Sequence, residues 1–299
     1  MIDFVQNCFD GVMLGSSYAL LAIGFTLIFG VMRRLNLSYG PSIMLGAFVG
    51  TLVFLEFRAG GLAVAAATVV GAVLVGIYVE RLCFWAIRQG AAVASMVSSF
   101  AIWMQLEEVV TIAFPDRTYP FPPLTRTEPM DFGPFFFKVE NLIMFACAVA
   151  LTLGLHLLLY RTRFGLRIRA VAENPDAARY MGINIAAVTF LAFACASAIG
   201  GIAGYLIVAQ DGQITPLFGL WATFKGLIAM MLGGMGSIPG AILGGLLLGV
   251  VEAQNIWYLG TEYRDLCAYA LLFVFLVFRP GGMFGHTLAE RERLALRRV

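Results

Sequence analysis

Nine stretches of this chain run without a single Asp, Glu, Lys or Arg, and their lengths decide what the chain can fold into. They are residues 11–32, 35–55, 59–79, 89–106, 141–160, 180–210, 212–224, 226–251 and 266–278. A bilayer core of roughly 30 Å needs about 20 helical residues, and a spanning backbone must satisfy its own hydrogen bonds. Most of the stretches meet that length. The run at 180–210 has room for one span at about 186–209. The stretches 212–224 and 226–251 are separated only by Lys225, and the Gly-rich region around 217–235 reads either as a span or as a re-entrant helix. The last run is short and is expected to extend through Tyr263, with Arg264 snorkelling towards water. Only 13% of the residues are charged and 60% are hydrophobic, too few polar groups to cover a soluble domain. The expectation is an all-α, polytopic integral membrane protein with eight or nine transmembrane helices in one domain, residues 1–299.

Orientation follows from the basic residues between the runs. With the N-terminus outside and nine crossings, the inside segments are 33–36, 80–90, 161–184 and 279–299. These hold fourteen Lys and Arg, against five in the outside segments. The C-terminal tail, 279–299, is therefore expected in the cytoplasm. The outside loop at 115–139 is rich in proline and aromatics and should be irregular or extended. Met1–Asp10 lacks the basic start of a cleavable signal peptide. The net charge of +2 carries no message about nucleic acid. Five dispersed cysteines, Cys8, Cys83, Cys147, Cys195 and Cys267, read as small apolar side chains and not as a disulfide or metal framework. Pro41-x-x-x-Leu45-Gly46-x-x-x-Gly50 is echoed by Pro239-x-x-x-Leu243-Gly244, with Gly245 and Gly249 following, a faint sign of an internal repeat.

The most informative segment is Arg161–Asn184, RTRFGLRIRAVAENPDAARYMGIN. Asn174 is a good N-cap, and Pro175 suits the first helical position. Asp176 complements the helix dipole, and Gly182 stands where a left-handed C-cap residue belongs. A helix of about seven residues, 175–181, is predicted. So short a helix is unstable alone and must dock on something. Ala177, Ala178 and Met181 offer it an apolar face, while Glu173, Arg179 and the upstream arginines supply charge.

Here the residues resemble a known family. The loop is similar to the EAA-type coupling segment of ABC importer permeases, in the form used by branched-chain amino acid (LivH-like) permeases. The likeness extends over about 11–282. Leu14-Gly15-Ser16-Ser17-Tyr18-Ala19-Leu20 resembles the family's first-helix opening, and Asn36-Leu37-Ser38-Tyr39-Gly40 stands where Asn-Phe-Ala-His-Gly is usual. Ala172–Ala178 with Met181–Asn184 matches its loop, and Leu232–Ala241 its late glycine-rich segment. The resemblance implies a multi-pass subunit of the bacterial inner membrane that moves a small solute. The solute class would be a branched-chain amino acid or a related amino acid, amide or carboxylate. It implies a second related (LivM-like) permease, two cytoplasmic ATPases and a periplasmic solute-binding protein as partners, besides membrane lipid. The ATPase-coupling residues would be Glu173–Arg179, Met181 and Gly182, and ATP-driven closure of the ATPases would push on the 175–181 helix and tilt the spans attached at 141–160 and 186–209. The chain contains no G-x-x-x-x-G-K-[ST] loop, so ATP and Mg belong to the partner subunits, and no cofactor is expected on this chain.

Elsewhere the sequence offers little chemistry. Gly234-Met235-Gly236-Ser237-Ile238-Pro239-Gly240 reads as tight packing or a turn, since no soluble strand precedes it and no acidic ribose ligand follows. His156 and His286 have no nucleophile or metal partner in sequence, so neither enzymatic catalysis nor a metal site is expected. Ionisable residues inside apolar runs are costly. Lys225 and Glu252, on neighbouring late helices, are expected to pair or to meet a zwitterionic solute, and Tyr18, Asn36, Ser38 and Tyr39 are further candidates for the pathway wall. A stand-alone secondary transporter or channel is the competing reading, supported by Lys225, Glu252 and the faint repeat.

Overall fold

The computed structural model describes residues 2–87, 92–125, 130–132, 135–279 and 281–284. The described residues form a helical bundle of eleven α-helices: α1 (Ile2–Met32), α2 (Tyr39–Phe57), α3 (Gly61–Val79), α4 (Ala92–Ala113), α5 (Val139–Arg161), α6 (Arg163–Glu173), α7 (Pro175–Tyr180), α8 (Ile185–Asp211), α9 (Phe218–Gly233), α10 (Ile238–Tyr258) and α11 (Arg264–Phe278). Seven are long and apolar enough to cross a membrane: α1, α2, α3 with the π-helical turn Glu80–Trp85, α4, α5, α8 and α10. A shorter apolar helix, α9, has 16 residues. The chain is thus a polytopic helical membrane protein. The few strands are minor: β1 (Tyr119–Pro120) pairs antiparallel with β4 (Gln213–Ile214), and β2 (Met130–Phe132) with β3 (Phe135–Phe137).

Lys225 does not divide two segments, as the uncharged runs suggested. It lies mid-way along a continuous α9, and the chain breaks later, at Gly234–Ser237. Gly234 and Gly236 take φ of 107° and 89°, conformations that side chains disfavour. Ser237 then caps α10 by accepting from the Gly240 amide at 3.2 Å, with Pro239 in the first turn. Met283 and Phe284 donate their amides to Leu232 and Gly233 carbonyls, at 2.9 and 3.0 Å, which satisfies the end of α9.

The bundle is organised around α1, whose apolar window is 83% buried. Without a hydrophobic gradient between lipid and protein, membrane helices associate by close backbone packing at small residues. The α1–α10 seam is built this way, from Gly11 and Gly15 against Gly245 and Gly249; a Cβ on Gly249 would lie inside the backbone of Gly15 and Gly11. We expect Gly249→Val to destabilise the fold by roughly 1–3 kcal/mol through overpacking. The loss shows as a lowered unfolding temperature of the detergent-solubilised chain; an unchanged temperature contradicts this account of the seam. On the outside of the bundle, Leu62 (90% exposed) and Phe278 (80%) belong to wide apolar faces that suit lipid or partner helices.

The two ends of the bundle differ. One gathers Arg33, Arg34, the Glu80–Trp85 turn, α6, α7, the 234–237 break and Phe284, which share the walls of two neighbouring cavities. The other gathers Phe114, the 119–124 stretch and the 211–217 turn. There Phe121 donates its amide to Gly212 O at 3.0 Å, and Phe114 and Tyr119 pack on Phe48. The described part of the proline-rich segment is therefore extended and lies against Phe48 of α2 and the end of α8; its residues 126–129, 133 and 134 lie outside the described residues.

Candidate functional site: a capped bracket and a buried ion cluster

The first candidate site is the Arg161–Asn184 segment. It contains two helices, where the sequence reading placed only one. Thr162 caps α6, its Oγ1 accepting from the Gly165 amide at 3.0 Å while donating to Leu158 O at 2.5 Å. Gly165, Ile168 and Val171 are buried, three residues apart, so α6 lays one stripe on the bundle and leaves its arginine face outward. Arg33 ties the far end of α6 to α1 by donating to Ala172 O at 3.1 Å. The Arg169 guanidinium lies 4.8 Å from the Tyr160 ring centre.

After a single residue the chain turns into α7. Asn174 Oδ1 accepts from the Ala177 amide at 3.0 Å, and Pro175 occupies the first helical position. Met181 and Gly182 close the helix, Gly182 with φ of 78°. Ile183 N donates to Ala178 O, and Asn184 Oδ1 accepts from Ala187 N to start α8. α7 is therefore capped at both ends and connects α6 to the long α8 without slack. Ala178, expected on the outward face, is fully buried against this chain. The apolar groups that α7 presents are Ala177, Tyr180 (91% exposed) and Met181 (69%). Pro175, Asp176 and Arg179 border a cavity of about 790 Å³, bounded also by Arg33, Arg34 and Glu80.

The second candidate is a polar cluster within the bundle, at the opposite end. Lys225 and Glu252 do pair, as neighbouring helices allowed. Lys225 Nζ also contacts Asp265 Oδ1 at 2.8 Å. Arg264 does not snorkel away: its Nε donates to Glu252 Oε2 at 2.9 Å and its Nη2 to Tyr18 Oη at 2.5 Å. Tyr18 in turn donates to Glu252 Oε2 at 2.6 Å. Four helices, α1, α9, α10 and α11, thus converge on one carboxylate that is wholly buried. Two cations against two carboxylates leave the cluster neutral, and the buried Glu252 carboxylate is tolerated because two cations and a hydroxyl surround it. The sequence pointed to the Lys225–Glu252 pair and, separately, to Tyr18, but not to Asp265 or the inward turn of Arg264. Those two sit at the start of α11, where sequence position alone says solvent.

The remaining pathway candidates are elsewhere. Asn36 Oδ1 accepts from the Ser38 amide at 3.1 Å, and the Ser38 hydroxyl donates to Ser99 O, so both pin the α1–α2 turn. Tyr39 donates to Ala196 O at 2.9 Å, in a notch left by Gly24 and Gly200. All six candidates are buried, and none is on the walls of the cavities described here. Glu107 accepts from Trp103 Nε1 at 2.9 Å, and His156 packs on Tyr160. His286 lies outside the described residues. Among the described residues no group of three or more His, Cys, Asp or Glu could hold a metal ion.

Comparison with known proteins places this geometry in context. The family model for the permease component of branched-chain amino acid transport systems matches residues 7–276. The high-affinity branched-chain amino acid transport permease LivH of Escherichia coli K12 is 33% identical, covering 96% of this chain and 97% of its own. BraD of Pseudomonas aeruginosa, with the same described role, is 30% identical and covers 96% and 98%. Among solved structures, a chain of an inward-facing metal-chelate type ABC transporter superposes with a TM-score of 0.55 at 15% identity, covering 92% of this chain and 85% of that one. A chain of the PsaBC complex of Streptococcus pneumoniae gives 0.50 at 12%, covering 94% of each. These two show a shared fold.

Proposed function

The chain belongs to the permease-component family of branched-chain amino acid transport systems, and from that premise we propose that it forms half of the membrane pathway of an ATP-driven importer. The observation that carries the reading is the bracket α6–α7. It is a pair of helices, capped at every junction, whose outward face carries Tyr180 and Met181 and is covered by none of the described residues. That is the shape of a part seated in another subunit. Because α7 runs into α8 through Ile183 and Asn184, a push on it is delivered to a 27-residue span. Rigid-body tilting of spans about the fixed core would then open the pathway alternately to either side.

The partners in this reading are two cytoplasmic ATPases beneath the bracket, a second, LivM-like permease beside the apolar flank, and a periplasmic solute-binding protein above the opposite end. The bracket lies at the end rich in arginine, which supports an inside location for it and an outside N-terminus. Arg264 borders one end of the bundle and Phe284 the other, which supports nine crossings with α9 and α11 as short ones. The relatives' described cargo makes branched-chain amino acids the first solutes to test.

The competing reading, a secondary transporter working alone, draws on the buried Lys225–Glu252 pair. Uptake of radiolabelled L-leucine into proteoliposomes separates the two. We expect no uptake by this chain alone under any ion gradient, and ATP-dependent uptake only with the ATPases, the second permease and the binding protein present. Gradient-driven uptake by the chain alone would refute the importer assignment.

A further inference from the structure

At the end of the bundle opposite the bracket, a cavity of about 560 Å³ opens between the C-terminus of α8, the turn into α9 and the first residue of α11. We propose that it is a subsite for an α-amino acid with an apolar side chain, Arg264 taking the carboxylate and Asp211 the ammonium group. The proposal rests on the importer reading and adds to it a place where the solute is held by this chain.

Arg264 has the properties of a built anion seat. Its guanidinium carries five N–H bonds in a planar fork. One goes to Glu252 and one to Tyr18, both fully buried residues behind it, so the group is positioned from the protein side. Three N–H bonds have no acceptor among the described residues, on a side chain that lines the cavity. A carboxylate matches that fork in geometry and charge. Trp221, whose ring centre is 5.9 Å from the guanidinium, walls the same space.

The cation seat is the other charged group of the cavity. Asp211 ends α8, where the last carbonyls of a 27-residue helix concentrate partial negative charge. Among the described residues it has neither a hydrogen bond nor an ion pair within 4 Å, and it lines the same cavity as Arg264. An ammonium group meets both the carboxylate and the helix terminus there. Ile214, Phe218, Trp221 and Ile256 line the same cavity and give apolar surface for an aliphatic side chain. The volume falls in the roughly 300–1,000 Å³ range of small-molecule pockets. One residue for each charge and apolar walls in the same cavity select for a zwitterion over an amine or a fatty acid.

Ligand-observed saturation-transfer NMR on the full chain in lipid nanodiscs tests this with L-leucine, 4-methylpentanoate and 3-methylbutylamine as probes. The wild type should bind L-leucine more tightly than either single-charge analogue. Asp211→Asn, which leaves the ion cluster intact, should weaken L-leucine at least about tenfold and leave 4-methylpentanoate unchanged. Arg264→Lys should weaken both. Wild-type chain that shows no L-leucine binding up to its solubility, or Asp211→Asn that binds it as the wild type does, overturns the subsite. ATP-dependent uptake by the complete transporter, measured in parallel, keeps the two ideas apart. Uptake with no binding by this chain removes the subsite and leaves the permease assignment, whereas uptake that needs no ATPase removes the assignment itself.

Discussion

Replacing Glu252 with alanine should nearly abolish folded protein, and replacing its partner Lys225 with methionine should do much less. Glu252 is the shared acceptor of Lys225, Arg264 and Tyr18, inside the bundle and out of reach of water. Its removal leaves the buried Lys225 ammonium with only the half-exposed Asp265 and the Arg264 guanidinium with only the Tyr18 hydroxyl, two cations against one carboxylate. Breaking a buried pair from one side costs about 3–5 kcal/mol, a large share of the stability of any domain. Losing Lys225 is different. Glu252 then keeps Arg264 and Tyr18, and the partner left behind by the lysine, Asp265, is 58% exposed and returns to water. With its carboxylate already in water, that contact contributes less than a fully buried pair, so little is forfeited there. Methionine also fills most of the lysine's volume. Abundance in membranes and the unfolding temperature in detergent measure both variants. Equal losses would mean that the carboxylate is not the keystone of the cluster.

The same cluster shows what the sequence could and could not disclose. Uncharged runs marked the long spans, because lipid leaves a helix no alternative to apolar residues. They failed at Lys225, where a charge was read as punctuation; a buried partner makes a charge tolerable mid-helix, and partners are a tertiary fact. The true break at 234–237 was present locally, in two glycines at positive φ followed by a Ser cap and Pro239. Arg264 looked like a snorkelling residue because nothing near it in sequence says that α1 and α10 bring Tyr18 and Glu252 to its side.

The loop at 161–184 divides in a similar way. The capping residues of α7, Asn174, Pro175 and Gly182, act on their own neighbours, so spacing sufficed to place the helix. α6 was obscured by its arginines, although Gly165, Ile168 and Val171 already carried its helical stripe. The facing of Ala178 was not legible, since a six-residue helix offers too few turns to show which side is packed. Burial of Ala178 also changes which substitutions are informative. A charge at Ala178 would disturb this chain's own core, whereas Tyr180 and Met181 change only what α7 presents to others.

Tyr180 and Met181 form the outward surface through which α7 would be driven. Tyr180→Asp combined with Met181→Asp places two carboxylates on the outward face of α7 and leaves its caps, Asn174 and Gly182, untouched. A docked apolar face tolerates buried, unpaired charge poorly. The decisive measurement is ATP-driven L-leucine uptake by the reconstituted complete transporter carrying the double variant, alongside recovery of the ATPase subunits with it. The account predicts a chain as abundant and heat-stable as the wild type, uptake reduced to background, and ATPase subunits lost on purification. Wild-type uptake with the ATPases still bound would show that α7 is not the element through which this permease is driven.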